Sequence, residues 1–366
     1  MSKRVAVLPG DFIGPEVIGS ALSVLKTLEQ THGVKLEYQS LPFGGSAIES
    51  HGEAFPQSTK DAVLEADAVL MGSVGGPVGD HPWNRLPREK RVETGSLELR
   101  RHLQVYANLR PVKVFPGLER LSPLRPERAQ GTDMIIFREL TGGIYFGKPS
   151  SVSEDRGVST MVYDRYEVER IARLAFETAR QRSGKVTNVD KSNVLDVSQF
   201  WRNVVVELHD SEFSDVELDQ LYVDNAAMQV VRDPQAFDVL VMGNLFGDII
   251  SDLAAVIPGS LGLLPSASLG GAVGLYEPVH GSAPDIAGTD SANPVGTILS
   301  AAMMLRHSLE QPAAATAVEA AVQAALAADP TKDLGGARGT DAFTHAVNEE
   351  LLRYSEQVSG VTAAAS

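Results

Sequence analysis

The sequence predicts an α/β fold, and two observations carry that reading. Short β-rich runs alternate along the chain with amphipathic helical patterns. Polar residues recur where the apolar runs end, which is where ligands sit in open α/β sheets. At 366 residues the chain is too long for one simple core, so two lobes are expected.

The elements follow in order. "VAVLPG" (5–10) reads as a buried strand and a turn. Pro15 suits a first helical position, and Val17, Ile18, Ala21, Leu22, Leu25 and Leu28 keep helical spacing up to Gly33. "AVLMGSVGG" (68–76) is a strand ending in glycines, and "MIIFRELTGGIYFG" (134–147) a strand entering a Gly-rich turn. "EVERIARLAFETARQRSG" (167–184) is an amphipathic helix with a glycine stop. "KVTNVDKSN" is a strand with a polar end, and "FDVLVMGNLFGD" a strand, a turn and the start of a helix. Asn293-Pro294 opens an apolar helix, Ala-rich helices follow from 312, and "VSGVTAAAS" (358–366) reads as a frayed tail.

Composition excludes several classes. The apolar runs are short and broken by Gly or Pro, so no membrane span is expected. The opening "MSKRVAVLPG" goes straight into a strand, with no secretory leader expected. The absence of cysteine removes disulfides and thiolate metal sites and fits a cytoplasmic protein. A net charge of −15 without a long basic run argues against nucleic acid. In that field an anionic substrate needs local arginines.

Several residues have the chemistry for a site. Asp248 and Asp252, in "GNLFGDIISDLAA", stand four apart, on one helix face. They are either half of a site for a hard cation such as Mg²⁺, or a helix-dipole partner beside a solvated acid. Asp224, in "YVDNAAM", is a third acid or a helix cap. Arg100, Arg110 and Arg138 suit a dicarboxylate through their planar forks. Each is otherwise a surface ion pair, although Arg110 and Arg138 stand at strand-like segment ends beside apolar runs. Lys191 after "VTNV" is a candidate base or a surface lysine. Tyr145 after two glycines is a candidate acid or an interface aromatic. "YEPVHGSAPDIAG" (276–288) reads as a binding loop, in which Asp285 favours the ribose hydroxyls of NAD over a 2′-phosphate. "GDFIGPE" is not a dinucleotide fingerprint, since it lacks the G-x-G-x-x-G spacing.

Six stretches in order, "LRRHLQVYANLRP", "RELTGGIYFG", "VDKSNVL", "YVDNAAM", "GNLFGDIISDLAA" and "EPVHGSAPDIAG", resemble the β-decarboxylating isocitrate/isopropylmalate dehydrogenase family. The likeness covers nearly the whole chain, and "RELTGGIYFG" looks like the isopropylmalate branch. It implies two α/β lobes on one continuous mixed sheet, not a Rossmann fold. Residues 1–105 with 259–366 would hold NAD. Residues 106–258 would bind substrate and form a homodimer, with an arm around 145–165. The implied reaction is NAD-dependent oxidative decarboxylation of 3-isopropylmalate with Mg²⁺ or Mn²⁺, in leucine biosynthesis. Homoisocitrate, tartrate or D-malate are the alternative substrates.

The resemblance also implies roles. Arg100, Arg110 and Arg138 would grip the malate carboxylates, with Ser96, Leu97, Val194 and Asp224 beside the substrate. Asp248 and Asp252, with Asp224 from the partner subunit, would hold the metal. Lys191, also from the partner, would be the base and Tyr145 the acid. Gly76, Glu93, His280, Gly281, Ser282, Asp285, Ile286 and Asn293 would line the NAD site. Two positions depart from the family pattern. Phe12 replaces a glycine, and Ser96 stands where an apolar leucine usually meets the isopropyl group.

Overall fold

The computed structural model describes residues 2–77, 79 and 81–364. The chain divides into two compact units, Met1–Gln104 with Ser260–Ser366, and Val105–Gly259.

The first unit opens with β1 (Lys3–Leu8), α1 (Gly14–His32), β2 (Leu36–Ser40), α2 (Gly45–His51), α3 (Gln57–Leu64), β3 (Ala68–Met71) and α4 (Val92–His102). Pro15 lies in the first turn of α1, and Gly33 ends that helix with a left-handed φ of 65°. The second unit carries β4 (Ala107–Lys113), the short α5 (Pro126–Ala129), β5 (Asp133–Glu139), the hairpin strands β6 (Ser151–Val152) and β7 (Gly157–Val158), α6 (Arg165–Arg180), β8 (Lys185–Asp190), α7 (Asp196–Glu212), β9 (Glu217–Tyr222), α8 (Val223–Arg232), β10 (Val239–Met242) and α9 (Asn244–Ala255). The first unit then resumes with β11 (Pro265–Leu269), β12 (Gly274–Pro278), α10 (Val295–His307), α11 (Pro312–Ala328) and α12 (Thr340–Ala364).

Each unit holds five strands in sheet order, and the second also carries the separate β6/β7 pair. In the first the order is β2-β1-β3-β12-β11, parallel except for the β11/β12 pair. In the second it is β4-β5-β10-β8-β9, parallel except for β4/β5. The α/β expectation is borne out, with a mixed sheet in both units. The inner strands β3 and β10 are buried along their whole length, as continuous apolar runs covered on both faces require. In the second unit Val112, Ile136, Leu240, Met242 and Ile250 share one core, which seats α9 on β4, β5 and β10.

Three local expectations need correction. Arg110 is in the middle of β4, not at its end. Asp248 falls in the second turn of α9, whose first turn holds no acid, so it does not serve the helix dipole. The last helix runs to Ala364 instead of fraying from 358, because adding residues to a formed helix avoids the nucleation cost; Ala365 and Ser366 lie outside the described residues. Among the described residues no helix is long and apolar enough to cross a membrane.

Phe12 adopts a left-handed φ of 51°, where a glycine carries no steric penalty and other residues cost about 1–2 kcal/mol. Its ring packs on Trp83 at 5.8 Å, and that contact offsets part of the backbone cost.

Candidate active site

The second unit builds a charged cluster from two strands and one helix. Arg110 projects from β4 and Arg138 from β5, strands paired so that Asn108 faces Arg138. Helix α9 crosses beside them with Asn244, Asp248 and Asp252 at successive four-residue steps, one helical face. Arg110 Nη1 donates to Asp252 Oδ1 at 2.6 Å and to Ser251 Oγ at 2.8 Å, while its Nε donates to Asn108 Oδ1 at 2.8 Å. Arg138 Nη1 donates to Asp248 Oδ1. The two carboxylates are therefore each matched by a guanidinium. Gly247 makes this approach possible, because a Cβ there would come within 2.5 Å of Arg138 Cγ.

Tyr145 reaches the same cluster from the turn after β5. Its hydroxyl donates to Asp248 Oδ2 at 2.8 Å. Burial, then the Asp248 carboxylate, raises the phenol above its ordinary pKa, so the ring keeps its proton. The turn is held from beneath by Glu139, which is fully buried. Its carboxylate accepts from Thr141 N and Oγ1, both at 2.9 Å, and from Gly142 N at 2.7 Å. Burial raises the Glu139 carboxyl's pKa above its ordinary value, against the opposing pull of these bonds and of Arg170. Gly143, at φ 73°, lets the backbone pass over Tyr163, whose hydroxyl would meet a Cβ at 2.3 Å.

Lys191 and Asp224 form a separate pair, with Nζ 2.5 Å from Oδ1. The ammonium holds the Asp224 carboxyl below its usual range. Among the described residues no set of three His, Cys, Asp or Glu side chains converges as a metal site within one chain. Val194 is exposed in the turn after Lys191.

Arg100 belongs to the first unit. On α4 it donates to Glu277 Oε1 at 3.3 Å, and Glu93, Ser96 and Leu97 lie on the same helix. Ser96 Oγ donates back to Val92 O at 3.3 Å, so its hydroxyl is satisfied within the helix.

Also in the first unit, three loops are tied together. Asp11 accepts from the backbone N–H of Gly45, Ser46 and Gly75. Ser282 Oγ donates to Gly75 O, and Ile13 N donates to Ser282 O. Gly76 abuts Trp83 and His81. Ile286 packs against Ile13, Val17 and Ala292, while Gly281 and Asp285 stay exposed. Asn293 is buried, donating to Asp333 Oδ2 at 3.0 Å and accepting from Val295 N at 3.0 Å. Among the described residues His280 Nε2 is buried without a hydrogen-bond partner, and burial lowers the ring's pKa.

The sequence pattern described as Isocitrate/isopropylmalate dehydrogenase matches residues 4–351. The chain belongs to that family. A 3-isopropylmalate dehydrogenase of Salinibacter ruber is 56% identical over 351 residues, 96% of this chain and 94% of the relative. One from Deinococcus radiodurans is 54% identical over 348 residues, 95% of this chain and 97% of the relative. Among solved structures, the isocitrate dehydrogenase of Methylococcus capsulatus superposes with a TM-score of 0.83 at 35% identity, covering 96% of this chain and 99% of that one.

For a member of the isocitrate/isopropylmalate dehydrogenase family, sequence reasoning passed over Asn108, Glu139, Asn244 and Ser251. A signal existed for Asn244, which stands four residues before Asp248 on the same helical face. Glu139 carried none, since a glutamate beside an arginine in a strand reads as a surface pair.

Proposed function

We propose that this protein oxidises 3-isopropylmalate with NAD and removes its β-carboxylate as CO₂, giving 4-methyl-2-oxopentanoate for leucine biosynthesis in the cytoplasm. The observation that carries this reading is the cluster of Arg110, Arg138, Tyr145, Asp248 and Asp252, which combines forks for carboxylates, hard oxygen donors and a protonated phenol. Relatives named for this activity, identical at more than half of their positions, support it.

Asp248 and Asp252 offer a donor set of carboxylate oxygens on one helix face, which fits Mg²⁺ or Mn²⁺. A cation held there supplies positive charge that acidifies the substrate hydroxyl and stabilises charge developing on oxygen as CO₂ leaves. The orphaned His280 Nε2, the exposed Asp285 carboxylate and the tied loops around Gly75 and Ser282 fit NAD in the first unit. In this reading Arg110 and Arg138, with Arg100, bind the malate carboxylates. Tyr145 delivers its proton to carbon after decarboxylation. Asp248 keeps the phenol in place through the 2.8 Å bond.

Lys191 and Asp224 act from a second copy of the chain, so the working unit is a homodimer with shared sites. Supporting this, the two residues pair with each other, and Met228 on α8 and Ile249 on α9 are more than half exposed. Both helices thus present apolar surface that a second copy would cover.

The test is NAD reduction with 3-isopropylmalate, with and without Mg²⁺, alongside D-malate and homoisocitrate. Metal-dependent preference for 3-isopropylmalate is expected. Preference for another malate moves the substrate and keeps the chemistry. Full activity of Asp248→Ala would end the metal assignment.

A further inference from the structure

Asn244 is fully buried at the start of α9 and touches both halves of the cluster. Its Oδ1 accepts from Arg138 Nε at 3.2 Å and Nη2 at 2.9 Å. Its Nδ2 donates to Gly142 O at 3.3 Å, in the turn that leads to Tyr145. Its backbone N donates to Tyr163 Oη at 2.7 Å. The amide orientation is chemically determined, because a guanidinium only donates and a carbonyl only accepts. We propose that Asn244 is the positioning residue that sets the Arg138 guanidinium for the substrate carboxylate and locks it to the turn carrying Tyr145. The inference rests on the functional reading above.

The residue type matters as well as the place. Arg138 lies in β5 with almost no exposure, so its fork must be held on one edge while another edge faces the cluster. An amide oxygen does this without adding charge. Arg110 and Arg138 are balanced by Asp248 and Asp252. A carboxylate at 244 would add a third negative charge and turn a balanced cluster into one that repels an anionic substrate. It would also set an oxygen against Gly142 O where the amide now donates. One side chain thus couples substrate grip to acid placement, through buried bonds where misplacement by an ångström is costly.

The experiment compares steady-state kinetics with 3-isopropylmalate for the wild type, Asn244→Asp and Asn244→Ser, with urea midpoints recorded for each. In Asn244→Asp the KM for the malate should rise tenfold or more, with the KM for NAD within twofold of wild type. Asn244→Ser keeps a neutral oxygen, so its malate KM should rise less. A purely structural role would lower kcat through lost active protein and leave both KM values where they were. An unchanged malate KM in Asn244→Asp, or a larger rise in Asn244→Ser than in Asn244→Asp, overturns the inference while an active wild type keeps the functional reading. A wild type inactive on every malate removes the functional reading and this inference with it.

Discussion

Arg110 Nη1 donates to Asp252 Oδ1 at 2.6 Å, and the same guanidinium lies 3.9 Å from Asp248. Two carboxylates one helical turn apart repel unless compensated, and here arginines from β4 and β5 provide the compensation. The aspartates proposed to hold a cation are thus the ones already paired with the arginines proposed to hold the substrate.

This pairing predicts competition. Without substrate, Arg110→Gln should tighten Mn²⁺ binding about two- to fivefold, the range expected for releasing an ion pair whose carboxylate is exposed to solvent. Asp252→Asn should weaken it. Equilibrium dialysis of Mn²⁺ measures both, and weaker Mn²⁺ binding in Arg110→Gln would show that the arginine does not compete.

Gly247→Ala tests how closely α9 must approach Arg138. A Cβ placed 2.5 Å from Arg138 Cγ and 3.1 Å from its Cα meets atoms that cannot swing away. Overpacking of this kind costs about 1–3 kcal/mol. Thermal unfolding should show that loss, with turnover reduced at least tenfold. An alanine variant of wild-type stability and activity would contradict the geometry.

His280 predicts a pH dependence. Burial lowers its pKa from the ordinary 6.5, so the folded state binds fewer protons than the unfolded state below that value. The histidine's contribution to stability is therefore fully present above pH 6.5 and is lost as pH falls toward the folded pKa. Urea midpoints measured at pH 7.5 and pH 5.5, roughly one unit either side of that ordinary value, should fall more in the wild type than in His280→Gln. Equal falls would remove His280 as the cause.

Ser96 predicts selectivity. Its hydroxyl bonds back to Val92 O, so the side chain presents little apolar surface for a branched substituent. Losing a contact of one or two methylenes reduces discrimination by about 1–3 kcal/mol. Ser96→Leu should raise the preference for 3-isopropylmalate over its 3-ethyl analogue about tenfold or more. An unchanged ratio of kcat/KM values would place selectivity elsewhere.

The α/β alternation was legible because strand and helix periods differ and glycine and proline mark the boundaries; α1 with Pro15 and Gly33 shows it directly. The helical step likewise placed Asp248 and Asp252 on one face before any coordinates, although Asn244, one turn earlier on that face, was passed over. What faces them was not legible. Arg110 and Arg138 stand more than a hundred residues away in sequence from Asp252 and Asp248, and only the pairing of β4 with β5 beneath α9 brings them there. Glu139 shows the same limit, since Thr141 and Gly142 are local partners but Arg170, 31 residues on, and its full burial are not. Local sequence sets periodicity and turns through short-range sterics. Which charges neutralise which depends on distances between strands that only the packed sheet establishes.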